Sequence, residues 1–86
     1  MNDRPSDAID MARLRWRCRR GLRELDELLQ RYLERRYPYA QEIERRAFES
    51  LVELQDPILL SYLLGQQTPP DPELQHAITR ITEAGH

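Results

Sequence analysis

The chain has no lysine: all thirteen of its basic residues are arginine. Arginine in place of lysine favours planar, bidentate contacts to carboxylates or phosphates over diffuse point-charge attraction, although a high-GC genome would give the same bias. Cysteine is nearly absent as well. The single Cys18 cannot form an internal disulfide, and with only two histidines beside it there is no zinc spacing, so no metal is expected and a reducing cytosol is the default compartment. No apolar run approaches the roughly eighteen residues of a membrane span. The first residues, Met1-Asn2-Asp3-Arg4-Pro5-Ser6-Asp7, have neither the apolar core of a signal peptide nor the acid-free amphipathic character of a transit peptide, so the expected localisation is cytoplasmic. A glycine-rich phosphate loop, a nucleophile–base pair and a metal-ligand cluster are all missing, which leaves an enzymatic role with the least support. The chain also lacks a flavin-binding fingerprint, and no stably bound cofactor is expected.

What is present is a charge division hidden by a net charge of −2. Residues 11–23 hold six arginines and no acid, whereas residues 24–86 hold six arginines against twelve acids. The basic end and the acidic body are built to meet different things. At 86 residues there is room for one domain, expected over residues 6–84 behind a disordered stretch at 1–5.

Apolar spacing points to an all-α fold, a small bundle of about five short helices. Leu22, Leu25, Leu28, Leu29, Tyr32 and Leu33 form one helical stripe, and Ile43, Ala47, Phe48, Leu51, Val52 and Leu54 form the next. The short Tyr37-Pro38-Tyr39 link between them predicts two antiparallel neighbours. Asp56-Pro57 reads as a helix start with Asp56 as cap, Gly65 as its left-handed stop, and Asp71-Pro72 as a second start before Leu74, Ala77, Ile78 and Ile81. The first segment conflicts with this pattern. Ala12, Leu14, Trp16 and Cys18 alternate strictly with arginines, as in a half-buried strand, but the chain offers no partner strand, and residues 7–19 are expected to be a helix.

At the junction of the first two segments stands Trp16-Arg17-Cys18-Arg19-Arg20-Gly21-Leu22-Arg23-Glu24-Leu25-Asp26. This Arg-Gly-x-x-Glu signature, with Trp-x-Cys-Arg before it and Leu-Asp after it, resembles the SdhE (YgfY) family of succinate dehydrogenase assembly, or flavinylation, factors. The resemblance extends over roughly residues 8–82. It implies a non-enzymatic factor that binds the flavoprotein subunit of succinate dehydrogenase or fumarate reductase and promotes covalent attachment of FAD to a histidine of that subunit. The FAD would belong to the partner. It also implies that Arg20, Gly21 and Glu24 face the partner near its flavin. The stretch Pro38-Tyr39-Ala40-Gln41-Glu42 departs from the family's more common serine- or threonine-capped start.

The residues allow such work. Gly21 has no β-carbon, so another backbone can approach it closely, or it can simply close the first helix. Arg20 and Glu24 would pair on one face if the second helix began by residue 20. Arg19 and Arg23 extend the basic surface. Trp16 suits either an interface anchor among arginines or a core position against Leu25 or Leu29. Cys18 reads as a small packed hydrophobe, His76 as a surface or half-buried histidine, and Glu42, Glu44, Glu49 and Glu53 as a solvated acidic face paired with Arg45 and Arg46. Two alternatives from other classes remain. The arginine cluster could be a phosphate footprint on nucleic acid, against which the acidic remainder and a pI of about 5.7 count. The leucine-rich faces could instead close a homodimer.

Overall fold

The computed structural model describes residues 7–84, with side chains from residue 11 onward; the disorder expected at 1–5 lies outside the described residues. Five α-helices follow one another: α1 (Asp7–Arg17), α2 (Arg23–Arg35), α3 (Glu42–Leu51), α4 (Asp56–Leu63) and α5 (Pro72–Ala84), with a 3-10 turn at Tyr37–Tyr39. Among the described residues there is no strand.

Helix α1 settles the ambiguous first segment. Its inward residues are Met11, Leu14 and Cys18, spaced by three and four, while Ala12 and Trp16 face solvent. The strict alternation is therefore coincidental, because only half of its apolar residues are buried. The helix ends at Arg17, where the amides of Cys18 and Arg19 close a final turn onto the carbonyls of Arg15 and Trp16. In α2, Leu25, Leu29, Tyr32 and Leu33 are buried, with Glu24 and Asp26 in the first turn and Arg35 in the last, each charge favourable to the helix dipole.

Gly65 adopts a φ of +76° and closes α4. The amide of Gln66 bonds back to the Ser61 carbonyl at 2.9 Å and that of Gly65 to the Tyr62 carbonyl at 3.2 Å, the paired reverse bonds of a left-handed helix stop. Asp71 caps α5 through a 2.9 Å bond from the Glu73 amide. Asp56 does not act as the expected cap. It lies inside the first turn of α4 behind Gln55, and its carboxylate is taken by an arginine 36 residues earlier.

The core gathers Cys18, Leu25, Leu29, Tyr32, Leu33, Phe48, Leu51, Leu59 and Ile81, all fully buried. Helix α5 is its axis: both α2 and α3 run their backbones against it, and Ala77, Ile81 and Ala84 are its buried residues. This corrects the expected α2–α3 pairing. A 3-10 turn and an extended Ala40 and Gln41 separate these two helices, which meet through their rings, Tyr32 to Phe48 at 4.5 Å between centroids. The phenol of Tyr32 donates to Glu44 and that of Tyr37 to Glu49, both at 2.6 Å. The expected acidic face is thus only partly solvated: two of the three carboxylates of α3 receive the hydroxyls of core tyrosines, and Glu53 lies beyond the helix end, where it pairs with Arg17.

Candidate functional site

Four residues, Cys18 to Arg20 and Gly21, carry the chain out of α1 before Leu22 leads into α2. Cys18 is fully buried beneath this turn, and burial pushes its thiol up to about 12 even though the nearby Arg20 charge pulls the other way. It fills space as a small hydrophobe and is not an activated nucleophile.

Arg20 turns inward, with only 12 % of its side chain exposed. Its Nε donates to the Arg17 carbonyl at 2.8 Å. One terminal nitrogen donates to the Leu54 carbonyl and to Asp56 Oδ1, each at 2.8 Å, and the other donates to the Val52 carbonyl. Arg17 ends α1 and Val52 caps α3, so both carbonyls belong to the set that a helix C-terminus leaves without an intrahelical partner. One planar cation therefore satisfies the ends of two helices and the first-turn acid of a third. A cation at a helix C-terminus and an anion at an N-terminus also suit the helix dipoles. The exposed Arg17–Glu53 pair at 2.8 Å ties α1 to the same loop, with little energetic weight in so much water.

Asp26 completes the turn from the other side. One of its carboxylate oxygens accepts the Arg20 amide at 2.7 Å, and the other accepts the Gly21 amide at 3.3 Å. Gly21 sits at a φ of +81°, in the left-handed region that side chains disfavour, and a β-carbon built there would meet nothing within 4 Å. Its glycine is required by the backbone, while the space beside it is open.

Glu24, the second residue of α2, is exposed and makes no hydrogen bond or ion pair among the described residues. The expected Arg20–Glu24 pair does not form. Helix α2 begins at Arg23, so residues 20 and 24 do not share a helical face, and the guanidinium is engaged elsewhere. Arg19 is exposed, and Arg23 is 92 % exposed with a loose 3.7 Å pairing to Glu27. Trp16 is 72 % exposed, which rules out the core position, and its ring has no arginine neighbour among the described residues. An arginine stands over a ring elsewhere among the described residues, Arg45 over Tyr37 at 5.1 Å.

The junction thus presents Trp16, Arg19, Gly21, Arg23 and Glu24 to solvent, while Arg20 is held within. Sequence reasoning missed Asp26 and Asp56 as partners of this turn. Asp26 lies directly after the motif and was visible as part of it; Asp56 was hidden by its resemblance to a local cap. His76 is exposed on α5, with its Nε2 3.6 Å from Glu44 and 3.3 Å from Arg80 Nε. Among the described residues no group of acids, histidines and cysteine is placed to hold a metal ion, and no helix is long and apolar enough to cross a membrane.

The geometry can be set beside known proteins. The chain is 38 % identical over 78 residues to the FAD assembly factor SdhE of Coxiella burnetii, covering 91 % of this chain and 95 % of that protein. It is 35 % identical over 75 residues to the FAD assembly factor SdhE of Shewanella oneidensis, covering 87 % and 92 %. Residues 12–84, which include the whole junction, the second half of α1 and all of α2 to α5, match the family described as flavinator of succinate dehydrogenase. The chain belongs to this Sdh5 family.

Proposed function

We propose that this protein is a cytoplasmic assembly factor that binds the flavoprotein subunit of succinate dehydrogenase, and of fumarate reductase where that enzyme is present, and promotes covalent attachment of FAD to it. The chain acts as a helper and the bond-forming chemistry takes place in the partner. One observation carries the reading: the signature's glutamate stands exposed, without a partner among the described residues, beside an open glycine on a turn that the rest of the fold braces. An exposed carboxylate without an internal partner is available to one outside. The open side of Gly21 admits a partner backbone, and Trp16, Arg19 and Arg23 provide an aromatic anchor and donors around it.

The mechanism that fits is selective holding. The factor docks on the flavoprotein and favours the conformation in which the acceptor histidine meets the flavin ring. Binding shifts such an equilibrium only by its differential affinity, and a preference of about 1.4 kcal/mol changes the population tenfold. No stable FAD site is needed in the factor, and the chain has no glycine-rich phosphate loop to build one.

The test is co-expression with the flavoprotein subunit from the same organism, with covalent flavin measured by in-gel fluorescence. The expected result is a gain in flavin attachment that Glu24→Ala sharply lowers while the circular dichroism of the factor stays unchanged. No gain, with both proteins folded, overturns the reading and leaves a basic-ended helical domain whose binding to duplex DNA and self-association would then be measured.

A further inference from the structure

We propose that Arg20 is a positioning residue and not a contact residue: with Asp26 and Asp56 it fixes the α1–α2 turn so that Glu24 is presented to the partner. This inference rests on the assembly-factor reading. The arginine and the glutamate of the signature then have different tasks, one facing inward and one facing out.

The donor inventory supports the division. A guanidinium has five N–H groups, and Arg20 directs them to four acceptors, the carbonyls of Arg17, Val52 and Leu54 and the Asp56 carboxylate. To reach a partner it would have to abandon carbonyls at the ends of two helices and an acid at the start of a third, leaving polar groups unsatisfied in a part-buried site. Its fork shape is what allows one side chain to serve three segments, and a lysine ammonium has no such geometry. Asp26 adds the complementary restraint. It stands on α2 and grips the amides of Arg20 and Gly21, so the turn is tied to the axis of the helix that carries Glu24. The side chain of Arg20 ties the same turn to the α3–α4 loop. Two restraints from opposite sides leave the first turn of α2 little freedom, and a contact held in place before binding loses less entropy on docking.

A double-mutant cycle in the full-length chain separates positioning from contact. The initial rate of covalent flavin formation in the flavoprotein subunit is measured at limiting factor for the wild type, Arg20→Ala, Glu24→Ala and the double variant. If Arg20 acts through Glu24, each single variant slows flavin attachment about tenfold, and the double is within about twofold of Glu24→Ala alone. Losses that multiply, to about a hundredfold, mean that Arg20 makes its own contact and overturn the inference. Arg20→Lys is the third arm: it is expected to fail as Arg20→Ala does, whereas substantial rescue by lysine would show a simple charge contact. Should Arg20→Ala lose its helical circular dichroism, Asp26→Asn replaces it in the cycle, with the same non-additivity expected and multiplication again overturning the proposal. A factor that stimulates flavin attachment equally with and without Glu24 also overturns it.

A factor that gives no stimulation at all defeats the assembly-factor reading instead. Amide hydrogen exchange on the free protein then decides the positioning claim. Faster exchange at Arg20 and Gly21 in Asp26→Asn, with α5 unchanged, upholds it; unchanged protection at both amides overturns it.

Discussion

Gly21 and Gly65 are a natural pair for separating what the backbone needs from what the partner needs. Their φ angles are nearly the same, +81° and +76°, and a β-carbon at either would meet nothing within 4 Å. Replacing each with alanine therefore introduces no clash, only the penalty of holding a substituted residue in the left-handed region, about 1–2 kcal/mol. Both variants are expected to lose this amount in urea denaturation, and their Tm values to fall by about 4–8 °C per kcal/mol in a domain of this size. Most molecules of either variant stay folded at 25 °C if the parent has the usual stability of about 5 kcal/mol or more. The effects should then diverge in the flavinylation assay at 25 °C. Gly21→Ala places a methyl group on the open side proposed to receive the partner and is expected to lower covalent flavin attachment, while Gly65→Ala, on the connection after α4, is expected to leave it at the parental level. Equal losses of flavin attachment in the two variants would show that the assay reports stability alone. Full stability in Gly21→Ala would refute the claim that its positive φ is a constraint.

Three further outcomes follow from the same geometry. Arg20→Lys is expected to cost about 3 kcal/mol in denaturant unfolding, since part-buried carbonyls lose charge-assisted bonds and Asp56 loses its bidentate-capable partner; a loss below about 1 kcal/mol would mean that the inward network contributes little. Cys18, raised by burial from 9.0 to about 12, holds its proton longer in the folded state than in the unfolded one, so its contribution is complete below pH 9 and is lost as pH rises from 9 through 12. Stability measured in urea across that window should fall by at most about 1.4 kcal/mol per pH unit for this one group, and Cys18→Ala should flatten the slope while lowering stability at neutral pH; an unchanged slope would assign the alkaline loss elsewhere, to Tyr32 first, whose phenol is also raised by burial and by its bond to Glu44. Trp16→Ala, at a site 72 % exposed, is expected to change stability by no more than about 0.5 kcal/mol yet weaken docking on the flavoprotein, as titration calorimetry would show.

Much of the fold was legible because local signals agree with packing along most of the chain. The stripe from Leu22 to Leu33 predicts α2, although Leu22 itself stands before the helix as its exposed N-cap residue, and Asp71-Pro72 predicts the start of α5. Gly65 marks the end of α4 for the reason that only a residue without a side chain rests easily at its φ. Where the reading went astray, the missing information was tertiary. The length of a link suggested that α2 and α3 lie side by side, but α5 packs against both, and contacts with a helix distant in sequence leave no mark on a local pattern. Asp56 has every property of a cap; an arginine 36 residues away engages its carboxylate.

The junction shows the same limit more sharply. A four-residue spacing suggests an ion pair only if a helix spans it, and the helix boundary at Arg23 decides against that for Arg20 and Glu24. Nothing in the motif reveals that Val52, Leu54 and Asp56, 32 to 36 residues onward, will converge on the guanidinium. Once they do, the remaining features take on a different meaning. The concentration of arginine between residues 11 and 23 is not one uniform cationic surface: Arg20 is drawn inside, Arg17 is paired with Glu53, and Arg19 and Arg23 stay outside with Glu24, which has no partner among the described residues. A junction that exposes a carboxylate along with its guanidinium groups is poorly suited to the uniform negative field of a nucleic-acid backbone, which would repel Glu24. It suits a protein surface, where a carboxylate and neighbouring guanidinium groups can each find a specific complement.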